Sequence, residues 1–127
     1  MPGTILILRP GCNVDDRWPL DLEELGYTVL SAEEPGQALI HVRTGSVDLV
    51  VIDGTAETCD IVATFVKLLD DEKQAPPFVL ASSSPEAPQD SARLGAAAFL
   101  PKPCAAGDVT HVLERVAPYT IAASASL

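Results

Sequence analysis

Basic residues are scarce: eight Lys plus Arg stand against eighteen Asp plus Glu in 127 residues, a formal charge of −10. Such a surface repels a phosphate backbone unless a local basic patch overrides it, and the sequence has none, so this domain is not expected to bind nucleic acid. Apolar runs of membrane-spanning length are also missing. Met1-Pro2-Gly3-Thr4 lacks the basic region and apolar segment of a signal peptide. A soluble, cytoplasmic protein that does not contact membranes is expected. Cys12, Cys59 and Cys104 are odd in number and widely spaced, with no Cys-x-x-Cys pair. Neither a disulfide framework nor a structural zinc site is indicated, and reduced cysteines are the default. No Gly-x-Gly-x-x-Gly, Walker-type or hydroxyl-rich phosphate loop follows the first apolar run, where Arg9-Pro10-Gly11-Cys12-Asn13 stands instead. That counts against a small cofactor binder.

What is present is 47% hydrophobic and 20% charged, the balance of one globular domain. Many acids fall early, at Asp15, Asp16, Asp21, Glu23, Glu24, Glu33 and Glu34. They read as a solvated acidic face, because on a helix several would point apart. The organising stretch is Val47-Asp48-Leu49-Val50-Val51-Ile52-Asp53-Gly54, an apolar run set against one carboxylate and then a glycine. A run this rich in β-branched residues suits a central strand covered on both faces. Asp53 then ends the strand, at the sheet edge where parallel α/β folds hold their chemistry.

The remaining punctuation is regular. Ile5-Leu6-Ile7-Leu8 predicts a first strand, stopped by Arg9-Pro10-Gly11. A helix follows between Asn13 and Gly26, best supported from Pro19 to Leu25. Tyr27–Leu30 predicts a second strand and Pro35–Arg43 a second helix, with Ala38, Leu39 and Val42 on one face. After the Gly54-Thr55-Ala56 turn, Ile61, Val62, Phe65, Val66 and Leu69 recur at helical spacing. Phe78–Ala81 predicts a fourth strand, with Ser82 opening the loop that leaves it. Glu86–Leu94 predicts a short helix ended by Gly95, and Ala97–Leu100 a fifth strand. Val109, Val112, Leu113 and Val116 mark a closing helix. His41 and His111 fall on helices as surface residues. Five alternations with short connections predict an α/β domain with a parallel sheet over residues 1–117, and 118–127 a flexible tail or linker stub.

In this order the residues resemble the receiver (CheY-like) domain of bacterial response regulators, over about residues 4–116. Asp53 matches the position of the family's phosphoacceptor and Ser82 that of its strand-four hydroxyl. Gly95-Ala96-Ala97-Ala98-Phe99-Leu100-Pro101-Lys102-Pro103 resembles its fifth strand, with Lys102 at the lysine position and Phe99 at the aromatic switch position. Leu25-Gly26-Tyr27-Thr28-Val29 and Gly36-Gln37-Ala38-Leu39 resemble its entries to the second strand and helix. The resemblance implies a flavodoxin-like (βα)5 three-layer sandwich, sheet order 2-1-3-4-5, with a cis bond at Lys102-Pro103. It also implies phosphoryl transfer to the aspartate from a partner histidine, Mg²⁺ and the lysine neutralising the oxygens.

One departure decides the functional expectation. In the family two acidic residues at the end of the first strand hold Mg²⁺; the matching positions here are Arg9 and Pro10. A guanidinium removes a ligand and puts a fixed positive charge where the cation would sit, so Mg²⁺ binding is expected to be lost or weak. Two arrangements are open for Arg9: pairing with Asp53, alongside Lys102, or pointing to solvent and pairing with Asp15, Asp16 or nothing. Gly54-Thr55-Ala56-Glu57 also lacks the Met-Pro often found in the family. The expectation is a non-enzymatic, atypical receiver without a cofactor, acting by phosphorylation-independent protein interaction. The resemblance puts its partner, or a homodimer contact, on the face of the fourth helix, fifth strand and fifth helix, about residues 86–116. The alternative is a working two-component response regulator phosphorylated on Asp53 by a histidine kinase, with metal held by Asp15 or Asp16.

Overall fold

Aliphatic and β-branched runs form the strands, and the segments between them return as helices. The computed structural model describes residues 3–9, 18–44, 47–53, 59–72, 75–82, 85, 87–101 and 105–116, with the backbone alone at 18, 59–61, 87, 90 and 116. Strands β1 (Thr4–Leu8), β2 (Thr28–Ala32), β3 (Leu49–Asp53), β4 (Phe78–Ser82) and β5 (Ala98–Pro101) alternate with five helices. These are α1 (Trp18–Glu24), α2 (Pro35–Thr44), α3 (Cys59–Asp70), α4 (Ala87–Leu94) and α5 (Ala106–Val116). Every pairing is parallel, as the alternation predicts, and the order is β2-β1-β3-β4-β5, the flavodoxin-like topology that the resemblance implies.

Two cores lie on the two faces of the sheet. On one, Ile5, Ile7, Leu49, Val51 and Val79 meet Leu22 of α1 and Val109, Val112 and Leu113 of α5. On the other, Leu6, Leu8, Val50, Ile52 and Leu80 meet Ala38 of α2 and Val62, Phe65, Val66 and Leu69 of α3. Because alternate side chains of β3 and β4 serve opposite cores, every residue of both strands is buried.

The helix stops work as the glycines suggest. At Gly26 (φ +100°) the amide donates to the Glu23 carbonyl, and Tyr27 N–H reaches back to Leu22; Gly95 (φ +84°) and Ala96 repeat the pattern with Ala92 and Ser91. Both are Schellman caps, which need a left-handed residue. At α2, Pro35 holds the first helical position and the Gln37 side chain accepts the Glu33 N–H.

Several boundaries shift. Asp48, counted above into the central strand, precedes it. Its carboxylate accepts the Thr4 N–H at 2.8 Å and its own N–H donates to the Thr4 carbonyl at 2.9 Å, tying the entries of β1 and β3 together. β2 runs from Thr28 rather than Tyr27 and continues to Ala32, because β1 pairs with it through Leu8↔Ala32. Tyr27 instead completes the α1 cap. Ser82 closes β4 rather than opening a loop, paired with Pro101, so β5 also extends one residue beyond the predicted end. Of the two histidines, His41 is half-buried and His111 exposed. The Gly54-Thr55-Ala56 turn, the Lys102-Pro103 bond, Cys12, Cys104 and the tail lie outside the described residues.

Candidate functional site

Three strand ends converge where the chain leaves the C-terminal edge of the sheet. The order β2-β1-β3 sets β1 beside β3 with Leu8 paired to Ile52. The next residues along the two strands, Arg9 and Asp53, are thereby neighbours although 44 positions apart. Arg9 is anchored by its N–H, which donates to the Ala32 carbonyl at 2.8 Å and continues the β1–β2 ladder by one bond. Its side chain turns the other way, and Nε donates to Asp53 Oδ2 at 3.1 Å.

Asp53 is 5% exposed and Arg9 presents 17% of its side chain, so the pair is largely withdrawn from water. At an effective dielectric near 20, opposite charges about 4 Å apart attract by roughly 4 kcal/mol. Desolvation of both ions offsets much of this, so the pair serves more to fix conformation than to add stability. Of the two arrangements left open for Arg9, the structure has the pairing with Asp53. Asp15, Asp16, Pro10 and Lys102 lie outside the described residues, and so does the lysine's share in any cluster.

Ser82 ends the adjoining strand. The register Asp53↔Ala81 sets it one step beyond the carboxylate's partner, and it is 3% exposed. Phe99 sits one strand further out, opposite Leu80, half-buried and packed against the core shared by α2 and α3. Ser91 of α4 was not singled out by any motif, yet it is buried and its hydroxyl lies 3.5 Å from the Ala98 carbonyl, where α4 meets β5. Only its helical spacing to Leu94 could have placed it inward.

Among the described residues, the one carboxylate at this edge is engaged by a guanidinium, with the Ser82 hydroxyl on the adjoining strand. Mg²⁺ takes oxygen ligands in near-octahedral geometry, and a fixed cation in bonding distance of the carboxylate opposes it. Among the described residues no group of three or more His, Cys, Asp and Glu is arranged to hold a metal ion, and no helix is long and apolar enough to cross a membrane.

Set against known proteins, the chain matches no family model and no curated sequence. Solved structures do match. A sensor protein from Polaromonas sp. JS666 aligns with a TM-score of 0.72 at 20% identity, over 90% of this chain and 94% of that one. The chemotaxis response regulator CheY4 of Vibrio cholerae aligns at 0.69 and 21% identity, over 90% and 98%. The receiver domain of a sensor histidine kinase from Pseudomonas aeruginosa, with a magnesium ion coordinated in its active-site cleft, aligns at 0.71 and 16% identity, over 90% and 96%. The chain has the fold of response-regulator receiver domains.

Proposed function

We propose that this domain is an atypical receiver in two-component signalling that works by binding a protein partner without being phosphorylated. The observation that carries the reading is the Arg9 Nε contact to Asp53 Oδ2 at 3.1 Å. It occupies the phosphoacceptor-equivalent carboxylate with a permanent charge, at the strand end where the family's acidic pair is replaced by Arg9 and Pro10. Among the described residues no set fits Mg²⁺, so no phosphoryl-transfer step is assigned to Asp53. Ser82, Phe99 and Lys102 keep the switch-equivalent positions. In this reading the ion pair holds one arrangement of that edge, and the partner reads the face of α4, β5 and α5. The domain is then a cytoplasmic, non-enzymatic module whose partner is neither nucleic acid nor membrane.

The test is an amide NMR titration with Mg²⁺ and then beryllofluoride, a phosphoryl mimic, on the parent and on Arg9→Asp. Shifts near Asp53 and Ser82 are expected only in the variant, which restores a carboxylate at the metal-binding position. Saturable shifts in the parent would overturn the reading and make Asp53 a phosphoacceptor served by a histidine kinase.

A further inference from the structure

The two edges of the sheet are protected unequally. β5 is four residues long and ends in Pro101, which cannot donate to a further strand. β2, at the opposite edge, reads Thr28-Val29-Leu30-Ser31-Ala32, with no proline, no charge and strong β-formers. The large exposed hydrophobic residues among those described, Leu20, Leu25 and Ile40, all belong to segments bordering this edge: α1, the turn entering β2, and α2. We propose that the β2 edge pairs antiparallel with the β2 edge of a second copy of this chain, joining two sheets about a two-fold axis.

The main-chain geometry selects one register. Thr28 N–H donates to Gly3 and the Ala32 carbonyl accepts from Arg9, so alternation turns the main chains of Thr28, Leu30 and Ala32 toward β1 and those of Val29 and Ser31 outward. Pairing Val29 with Ser31 of the second copy, and the reverse, uses every outward group and sets Leu30 opposite Leu30 across the axis. Sliding by one pair in either direction would call on Tyr27 N–H or Glu33 N–H. Tyr27 N–H is already donated to Leu22 and Glu33 N–H to the Gln37 side chain. A second copy therefore fits the edge in a way that an arbitrary strand need not.

Charge and size agree with this occupant. In the chosen register Glu33 and Glu34 lie opposite Tyr27 and Gly26 of the second copy, so the acidic ends of the two strands are kept apart. A two-fold perpendicular to the sheet keeps each face on its own side, bringing α2 toward α2, a helix without an acidic residue. The remaining repulsion comes from Asp21, Glu23 and Glu24 around α1, and salt screens it. A strand edge alone is too small for a stable dimer, which draws on about 20–30 residues a side. The segment from Trp18 to Thr44 borders the edge on both faces, and its exposed residues, Leu20, Leu25 and Ile40 among them, are available to extend the contact. Because β2 and the proposed partner face lie at opposite edges, this pairing is independent of the reading above.

The experiment is sedimentation equilibrium of the chain at low and moderate salt, paired with amide hydrogen exchange at micromolar and millimolar protein. The expected result is a dimer that tightens with salt, with the Val29 and Ser31 amides becoming protected as concentration rises. Ser31→Pro, which removes an outward donor, and Leu25→Glu, at an exposed site, are each expected to lose the dimer at concentrations that saturate the parent. A monomer under all conditions overturns the proposal. So does a dimer in which the Val29 and Ser31 amides exchange at the same rate as in dilute solution, because the contact then lies elsewhere. The exchange measurement needs no variant, so it decides the matter even if Ser31→Pro does not fold.

Discussion

Burial and a neighbouring carboxylate push Tyr27 in the same direction. Its phenol, packed against the core under α1 and α5, has a pKa raised above the usual 10.0, first by loss of solvent and then by the negative charge of Glu114 on α5. Both effects disfavour the phenolate. The folded protein thus holds this proton more tightly than the unfolded chain. The stability linked to it is fully present below pH 10.0 and is lost as pH rises through the folded midpoint. Glu114→Gln is expected to lower the midpoint without returning it to the ordinary value, since burial is the larger cause. The measurement is the ultraviolet phenolate absorbance, with Tyr27→Phe identifying the signal. An unmoved midpoint would show that the Glu114 charge does not reach the phenol. Arg9 and Asp53 show the opposite use of charge: two unlike ions held together at 3.1 Å.

Among the elements, α1 is the least favourably built. It is seven residues long, carries Glu23 and Glu24 at its C-terminal end, and has no basic residue in its last turn. Negative charge there opposes the helix dipole, an effect of about 0.3–1 kcal/mol per charge at the surface. Glu24→Lys, at an exposed position, is expected to raise stability in urea unfolding by about that amount at low ionic strength. A destabilised variant would mean that Glu24 makes a contact worth more than the dipole term. What holds α1 is Leu22, fully buried against the β1 and β3 side chains, together with the glycine cap.

The legibility of these elements follows the same physics. Buried strands such as β1, β3 and β4 announce themselves because both faces demand apolar residues. The helix ends at Gly26 and Gly95 do so because the caps demand a left-handed residue. Ser82 was misplaced because its hydroxyl ends the apolar run, whereas pairing with Pro101 carries the strand through it. Asp48 was misplaced because an acid beside a strand gives no sign that it will accept the Thr4 N–H. The Arg9–Asp53 contact depends on the register Leu8↔Ile52, and register between distant strands is not written in either strand alone. The sequence could supply both residues and a reason for pairing, but not the geometry that decided it.

At the scale of the whole molecule, a charge of −10 makes the folded state work against itself. Compaction brings Glu23, Glu24, Glu33, Glu34, Asp70 and Asp71, all exposed, closer together than they are in the unfolded chain. The screening length is about 10 Å at 0.1 M salt, so added salt weakens this surface repulsion. The favourable Arg9–Asp53 attraction, with Asp53 5% exposed, is screened much less. The exposed Arg43–Glu72 pair at 2.8 Å is the kind that salt does weaken, but such pairs contribute only about 0–1 kcal/mol. Repulsion among the acids is therefore the term that salt changes most, and Tm is expected to rise as sodium chloride increases from low to moderate concentration. The scan belongs at dilute protein, where association does not add its own concentration-dependent stabilisation. The double variant Glu23→Lys with Glu24→Lys is expected to raise Tm at low salt and to flatten the salt dependence, because each reversal removes two units of the excess. A Tm that falls with salt in the parent would show that attractive surface pairs outweigh the repulsion. Stability would then rest on ion pairing across the surface rather than on the two apolar cores alone.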